Sequence, residues 1–403
     1  LKIRAAMAEH LAPGAPFIAE TGGLNAMIVD STALPEQAVQ AIVESAFQSA
    51  GQRCSALRCL YVQEDIAKSF TEMLTGAMDA LCIGMPWSLA TDVGPVIDEE
   101  AKRGIDAHIQ QARAEGRLIH ELKTPNAGTY VAPTLIRVGG IDEMEREIFG
   151  PVLHLATFKA NELDKVIDTI NATGFGLTFG LQTRIDDRVQ HVTDRIKAGN
   201  MYVNRNQIGA IVGSQPFGGE GMSGTGPKAG GPNYLPRFTR RAAQSCAEGW
   251  TRDMSAKDLR SALDYANTRT AERRGALVMP GPTGESNRLT THTRDAVLCL
   301  GPGAQAAAAQ AHAVRKLGGI AVEATGHVPC ETLRTVEGIS GVLYWGDDDA
   351  TARAYARALS ERAGPILPLI SGMPDVGHVL HERHVCVDTT AAGGNAALLG
   401  GMA

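Results

Sequence analysis

The sequence predicts an α/β fold with a largely parallel sheet, followed by a second, related α/β region. Of the 403 residues, 44% are hydrophobic and 20% are charged, which is typical of a globular chain and not of a disordered one. Short apolar runs alternate with helical patterns of about 10–15 residues, and this alternation favours parallel strands. Glycine, with 45 residues, indicates many close backbone approaches. The length predicts two or three domains.

The first alternating series covers residues 1–225. Pro35 lies at the start of a helical pattern, where proline is favoured. The other predicted elements, in chain order, are a strand at LRCLYV (57–62), helices over 65–81 and 99–115, strands at TYVAPTLIRV (129–138) and PVLHLATF (151–158), a helix over 162–172, a strand at GLTFGLQT (176–183), a helix at DDRVQHVTDRI (186–196) and a strand at GNMYVN (199–204).

The remaining sequence predicts a linking region and a second α/β series. Residues 213–235 are rich in glycine and proline, which disfavours sustained helix. We assign residues 226–275 to a flap or linker that could carry a hairpin. The elements predicted within residues 276–403 are strands at AVLCL (296–300), IAVEAT (320–325), GVLYWG (341–346), PILPLI (365–370) and HVCVDT (384–389), and helices at AQAAAAQAHAVRKLG (304–318) and DDATARAYARALSERAG (348–364).

Charge and hydropathy exclude several classes of protein. The net charge is −6 and no block of five or six like charges occurs, which argues against nucleic-acid binding. The sequence contains no run of 18 apolar residues, so we expect no membrane span. It also shows no secretory signal, so we expect a cytoplasmic location. The seven cysteines include no CxxC pair, which disfavours a metal site and suits reduced thiols. The start at Leu1 instead of Met predicts a piece of a longer polypeptide.

Two residues are candidates for catalysis. Cys54, in SAGQRCSA, follows a helical pattern and has Arg53 beside it, and a neighbouring cation favours the nucleophilic thiolate. Glu20, between the apolar run FIA and two glycines, is expected to be half-buried, which would raise its pKa towards the range of a general base. The alternatives are a buried structural thiol and a surface or capping carboxylate.

Five ordered motifs carry a family resemblance. They are AETGG with Glu20, GQRCSA with Cys54, EIFGPVL with Glu147 and Phe149, TGFGLTFG at 173–180 and GNMYVNRN at 199–206. In these motifs the sequence resembles the aldehyde dehydrogenase superfamily. The segment from NRNQIG to PKAGGP resembles one branch of it, found in bifunctional proline-catabolic enzymes, which oxidises L-glutamate γ-semialdehyde to L-glutamate with NAD. The alternatives are another aldehyde substrate or a non-catalytic structural module.

The resemblance implies roles for individual residues. Cys54 would attack the aldehyde and Glu20 would activate the water that hydrolyses the thioester. The cofactor-binding residues would be Glu147 on the nicotinamide ribose, Phe149 beside the nicotinamide, Thr21 and Gly22. The substrate-binding residues would be Ser55, Gly209 and Ala210 around the α-carboxylate, Phe217 along the aliphatic chain and Arg53 as a nearby positive charge. Core packing and a helix-end charge are the alternatives for Phe149 and Glu147.

The resemblance also implies partners. The main NAD-binding half and an oxyanion-stabilising asparagine would precede Leu1, and FAD would belong to a proline dehydrogenase part further upstream. A homo-oligomer is possible, and we expect no nucleic-acid partner.

A glycine turn in the second series permits two interpretations. GPGAQA at 301–306 follows a predicted strand and opens a helix, and Glu323 ends the next strand, as in a dinucleotide site. Pro302, however, removes one backbone donor. The region resembles a Rossmann-like, non-catalytic C-terminal domain related to aldehyde dehydrogenases. We therefore favour a structural role, with the tail at 390–400 covering the catalytic part.

Overall fold

The computed structural model describes residues 2–239, 242–268 and 273–390 and shows a mixed α/β structure. The helices are α1 (Lys2–His10), α2 (Pro35–Phe47), α3 (Glu64–Asp79), α4 (Glu99–Ala114), α5 (Leu163–Ala172), α6 (Asp186–Arg195), α7 (Ala256–Asn267), α8 (Gly303–Lys316), α9 (Cys330–Thr335), α10 (Asp349–Ser360) and α11 (Val376–Val379). The strands are β1 (Ala26–Val29), β2 (Cys59–Gln63), β3 (Leu118–Glu121), β4 (Thr134–Arg137), β5 (Val152–Phe158), β6 (Phe175–Gly176), β7 (Thr178–Gln182), β8 (Asn200–Val203), β9 (Glu220–Gly221), β10 (Arg273–Met279), β11 (Glu285–Thr293), β12 (Ala296–Cys299), β13 (Ala321–Glu323), β14 (Ile339–Leu343), β15 (Leu369–Ile370) and β16 (Leu380–Asp388).

The chain forms two compact units, each assembled from separate segments. The described residues of unit 1 fall within Leu1–Glu20, Pro216–Leu277 and Leu289–Arg383. Those of unit 2 fall within Thr21–Gln215, Val278–Arg288 and His384–Ala403. The boundaries expected from sequence at residues 225 and 275 stay a prediction.

The larger sheet confirms the predicted parallel architecture. Its strand order is β10-β11-β16-β8-β7-β1-β2-β5-β4-β3. Within unit 2, β1 pairs in parallel with both β2 and β7, and β5 pairs in parallel with β2 and β4. The edge strand β3 runs antiparallel to β4. The central strands β1, β2, β7 and β8 are buried along their whole length, as expected when both faces of a parallel sheet are covered.

Alternate residues of the central strands supply two hydrophobic cores. Met27 and Leu60 point to the face covered by α2, α3 and α4. Ile28 and Tyr61 point to the opposite face, where α5 and α6 contribute apolar residues. Because successive strand side chains project to opposite faces, one four-residue strand can anchor helices on both sides.

Unit 1 contains a smaller sheet of the same type. Its order is β13-β12-β14-β15, and every pair is parallel. Val297 of β12 packs with residues of α8, whereas Leu298 packs with residues of α7, α9 and α10 on the other face. This arrangement of helices on both faces of a parallel sheet confirms the Rossmann-like prediction.

Two local features were not predicted from the sequence. The region 226–275 contains helix α7, which begins at a capped Ser255 whose hydroxyl accepts from the Asp258 backbone N–H. Leu259 and Leu263, four residues apart, bury the inner face of this helix. Glu20 forms an isolated antiparallel bridge with Gly224, and the run FIA before it has no regular secondary structure. The predicted covering tail lies mostly in residues 391–403, outside the described residues.

Candidate active site

A left-handed turn positions the Cys54 loop. Three consecutive residues after α2 have positive φ, namely Ser49 (56°), Ala50 (53°) and Gly51 (64°). A Cβ at Gly51 would lie 2.1 Å from the carbonyl oxygen of Gly150, so a side chain does not fit there. Glycine at this position lets the cysteine loop approach the segment that carries Glu147 and Phe149, and it adopts the left-handed conformation without penalty.

A buried arginine joins these two segments. Arg58 is fully buried, and its Nε and Nη2 lie 3.3 and 3.2 Å from Oε1 of Glu147. Its Nη1 donates to the carbonyl oxygens of Gly51 (2.7 Å) and Gly150 (3.2 Å), and Nη2 donates to that of Arg53 (3.2 Å). A rigid planar donor thus satisfies three carbonyls and one carboxylate, which is the task for which guanidinium is suited.

The same cation acts on the candidate nucleophile. Burial lowers the pKa of Arg58, while attraction to Glu147 and to the Cys54 thiolate raises it. The attraction is mutual, so Arg58 favours the charged, nucleophilic form of Cys54, which is itself half-buried. Its position next to Cys54 in sequence predicted this role for Arg53, whose Nε instead donates to the hydroxyl of Ser49 at 3.1 Å.

Buried amides hold the loop on either side of Cys54. Nδ2 of Asn25 donates to the carbonyl oxygens of Cys54 (2.7 Å) and Ala56 (2.9 Å). Ser55 is buried, and its carbonyl accepts from Nε2 of Gln207 (3.3 Å) and from the hydroxyl of Thr178 (3.1 Å). These bonds fix the positions of the carbonyls around the thiol. Breaking them would leave buried polar groups unpaired, which would lower the stability of the fold.

Glu147 and Phe149 fit the nicotinamide end of a dinucleotide. Phe149 is 44% exposed, which excludes core packing as its role, and its ring centroid lies 5.1 Å from Cζ of Arg58. Glu147 is not a helix-end charge: it pairs with Arg58, and its Oε2 accepts from Gly23 N–H at 3.3 Å. A Cβ at Gly22 would lie 2.7 Å from that oxygen. An exposed flat ring beside a carboxylate and a bare glycine suits a nicotinamide ring and a ribose diol.

The remaining predicted residues of unit 2 lie at or near its surface. Gly209 is exposed with φ of 73°, and a Cβ there would lie 3.9 Å from Nη1 of Arg53. Ala210 is half-buried and Thr21 is exposed. The left-handed Gly209 beside an arginine is compatible with binding of an anion at this turn.

Glu20 and Phe217 belong to unit 1. The backbones of Phe217 and Ala229 exchange two hydrogen bonds, of 3.0 and 2.8 Å. Oε2 of Glu20 accepts from the Gly219 N–H at 2.8 Å. Although Glu20 is exposed and not half-buried as a residue, burial of its carboxyl group raises its pKa to about 7, while the Gly219 bond and Lys228 oppose the rise. A carboxyl with this pKa is suited to accept a proton near neutral pH.

Comparison with known proteins gives the family. The aldehyde dehydrogenase family profile matches residues 2–243. The chain belongs to the aldehyde dehydrogenase family. The bifunctional protein PutA of Klebsiella aerogenes is 41% identical over an alignment of 434 positions with gaps, which covers 94% of this chain and 33% of that protein. The chain thus spans about a third of the length of that curated relative.

Two solved structures are similar to this chain over more than half of its length. The crystal structure of a variant of Bradyrhizobium japonicum proline utilization A is 53% identical, with a TM-score of 0.57, and the match covers 59% of this chain and 24% of that one. A 1-pyrroline-5-carboxylate dehydrogenase from Thermus with bound NAD is 32% identical, with a TM-score of 0.53, over 59% of this chain and 47% of that one. The chain is therefore similar both to proline utilization A and to 1-pyrroline-5-carboxylate dehydrogenase.

Three buried polar residues near the predicted site residues of the two units were missed in the sequence. Arg58 and Asn25 lie in apolar strand-like runs, where a charged or amide side chain must find buried partners. That mismatch was the available signal. Lys228 is buried in the glycine-rich segment of unit 1. The glycines and prolines around it form no strand or helix pattern, so nothing in the sequence marked this lysine as buried. The part of the chain that the structure describes contains no cluster of metal-binding side chains and no helix able to cross a membrane.

Proposed function

We propose that this chain carries the cysteine-bearing part of an NAD-dependent L-glutamate γ-semialdehyde dehydrogenase, within a bifunctional proline-catabolic polypeptide. The observation that carries the proposal is the buried Arg58, which joins the Cys54 loop to the segment of Glu147 and Phe149. The similarity to PutA over 94% of the chain supports the substrate. Cytoplasmic location, a homo-oligomer and FAD in the remaining polypeptide are parts of the same proposal.

The chemistry assigned to the chain is acyl transfer through a thioester. The Cys54 thiolate adds to the aldehyde carbon and gives a hemithioacetal anion, whose oxygen accepts a hydrogen bond from the Cys54 backbone N–H. NAD, when bound, would supply the acceptor for the hydride that leaves this carbon, and Cys54 would then hold the acyl group as a thioester. Glu20 takes a proton from water as the water attacks the thioester carbon. The Cys54 thiolate then leaves, and the carboxylic acid is released.

We also propose binding roles for the other residues. Glu147, Phe149, Gly22 and Thr21 are proposed to hold the nicotinamide and its ribose, with the main dinucleotide site in the upstream polypeptide. An exposed phenylalanine beside a carboxylate supports this assignment. NAD binding by the isolated 403-residue chain, measured by calorimetry, should accordingly be weak, and a micromolar dissociation constant would overturn this part of the proposal.

The substrate carboxylate is assigned to the loop around Arg53. Ser55, Gly209 and Ala210 are proposed to surround it, and Phe217 to lie along the aliphatic chain. The proximity of Gly209 to the Arg53 guanidinium supports an anionic substrate group at this turn. The assay compares kcat/KM for L-glutamate γ-semialdehyde with that for uncharged aldehydes in the complete polypeptide. A preference for uncharged aldehydes would exclude this substrate.

Cysteine variants test the thiol chemistry directly. Cys54→Ser in the complete polypeptide should abolish NADH formation, because the hydroxyl is a far weaker nucleophile at neutral pH. Cys82→Ser is the matched control, since Cys82 is exposed and lies in the same unit. Unchanged turnover in the Cys54 variant would refute the thioester mechanism.

For the Rossmann-like region we propose a structural role and not nucleotide binding. A Cβ at Gly303 would lie 2.4 Å from a carboxylate oxygen of Glu248, so this acid stands against the glycine turn that would receive a pyrophosphate. The indole of Trp250 donates to the carbonyl of Leu300 beside the same turn. Glu323, the expected ribose ligand, pairs with Arg315 at 2.8 Å. Deletion of residues after Thr390 tests the covering role of the tail, and unchanged activity and assembly would refute it.

A further inference from the structure

Unit 1 contains a buried lysine that the mechanism above does not use. Lys228 is 2% exposed, and its Nζ donates to the carbonyl oxygen of Gly218 at 2.6 Å. Its backbone N–H donates to Oε2 of Glu382 at 2.9 Å. Burial of an ammonium group is costly unless charged or polar partners surround it, so its position calls for an explanation.

The Gly218 carbonyl belongs to the same peptide group as the Gly219 N–H. That N–H donates to Oε2 of Glu20 at 2.8 Å. The ammonium of Lys228 and the carboxyl group of Glu20 therefore bind opposite ends of one planar peptide. A cation at the carbonyl draws electron density from the N–H, which strengthens the hydrogen bond to the carboxylate.

The surrounding backbone keeps these groups in place. A Cβ at Gly218 would lie 3.1 Å from Oε1 of Glu20 and 3.3 Å from Cα of Lys228, and a Cβ at Gly224 would lie 2.7 Å from the same Glu20 oxygen. The backbone pair of Phe217 and Ala229 brings Gly218 next to Lys228. Glycine at both positions therefore lets the backbone approach the carboxyl group closely, and a side chain at either position would crowd it.

We infer that Lys228 is a positioning residue for Glu20, and that it acts through the peptide group between Gly218 and Gly219. Lys228 fixes the direction of the Glu20 carboxylate and stabilises its charged form. This role rests on the proposed function, because it assumes that Glu20 activates the hydrolytic water.

The charged groups around the pair define the pH range of the effect. Burial lowers the pKa of Lys228 to about 8, attraction to Glu382, Glu20 and Glu220 raises it, and Arg383 lowers it. The pKa of Glu20 is about 7, raised by burial and lowered by the Gly219 bond and by Lys228. Between about pH 7 and pH 8 the ammonium and the carboxylate are thus both charged, and removal of the cation must raise the pKa of Glu20.

The test compares Lys228→Met and Lys228→Arg in the complete polypeptide, with exposed Lys257→Met as the control. If loss of the cation raises the pKa of Glu20 by about one unit, the ionised fraction at pH 7 falls about fivefold. Hydrolysis in Lys228→Met should then be about fivefold slower at pH 7 and within about twofold of wild type at pH 9. Lys228→Met should also show a pre-steady-state burst of NADH at pH 7, because the acyl-enzyme accumulates when its hydrolysis is slow.

Each outcome separates this inference from the proposed function. Absence of NADH formation by the wild-type polypeptide would refute the proposed function. An active wild type with a Lys228→Met profile that is lowered equally at all pH values, or unchanged, would refute the positioning role alone. If Lys228→Met does not fold, Lys228→Arg decides the question. Arginine keeps a permanent cation, so the apparent pKa of the acidic limb of the pH profile should be equal to or lower than that of wild type. A higher apparent pKa in Lys228→Arg would refute the inference.

Discussion

Substitution of Arg58 by methionine tests the connection on which the site is built. The change removes two contacts to Oε1 of Glu147 and leaves the carbonyls of Gly51, Gly150 and Arg53 without this donor. Methionine retains most of the apolar stem, so the loss is mainly one of charge and hydrogen bonds. Removal of one partner of a buried ion pair costs about 3–5 kcal/mol. The Glu147 side chain is 20% exposed and partly rehydrates, whereas the carbonyls add to the loss, so we expect about 4 kcal/mol.

Thermal unfolding measures this cost. For a unit of about 200 residues, 1 kcal/mol shifts the midpoint by roughly 2–4 °C, so Arg58→Met should lower it by about 8–16 °C. Arg113→Met is the matched control in unit 2: Arg113 is exposed and pairs with Glu121, and such surface pairs contribute at most about 1 kcal/mol. Because the chain has two units, the comparison uses the difference between the two variants and not an absolute free energy.

Alkylation of Cys54 supplies a second measurement on the same variants. Loss of the Arg58 cation disfavours the thiolate, so reaction of Cys54 with iodoacetamide near neutral pH should slow in Arg58→Met and stay unchanged in Arg113→Met. Equal midpoints for the two variants, together with equal alkylation rates, would show that Arg58 neither supports the loop nor acts on the thiol.

The other predictions concern the glycine turn and two carboxyl groups. Gly51→Ala should destabilise the fold by more than about 1 kcal/mol, because its Cβ would lie 2.1 Å from the Gly150 carbonyl oxygen and its φ is positive. The control Gly76→Ala, in an open position of α3, should stabilise the fold by about 0.5–1 kcal/mol. Denaturant midpoints of the two variants that move in the same direction would contradict this prediction. Turnover limited by hydrolysis should fall as the pH drops below about 7, because Glu20 gains a proton, and Glu20→Gln should retain NADH formation for one turnover and accumulate thioester; repeated turnover at the wild-type rate would contradict the base role. Burial raises the pKa of Glu220, but attraction to Arg383 and His381 outweighs burial and brings this pKa to about 2. The ionised Glu220 therefore stabilises the fold above about pH 4.5, and this contribution is lost as the pH falls towards 2. Glu220→Gln should make the unfolding midpoint less dependent on pH in this acidic range, and an unchanged dependence would refute the contribution of Glu220.

The sequence by itself determined the alternation of strands and helices, and it indicated Cys54 and Glu20 as candidates for catalysis. Hydrophobic periodicity is a local property, and short motifs such as GQRCSA and AETGG keep their residues together in the chain, so both could be read without a fold. The helix α7 was missed although its serine cap and paired leucines are local signals, because the polar residues around them suggested a linker.

Only the tertiary structure decided which charges act on these residues. Arg58 lies 89 positions from Glu147, and its carbonyl partners come from two different loops. Arg53, adjacent to Cys54 in sequence, directs its guanidinium to Ser49 instead. Likewise, the Gly219 partner of Glu20 is 199 positions away. Hydrogen bonds and buried charges depend on distances of a few ångströms, and sequence separation does not determine such distances. The chemistry of each group was therefore visible in the chain, whereas its pKa and its partners required the fold.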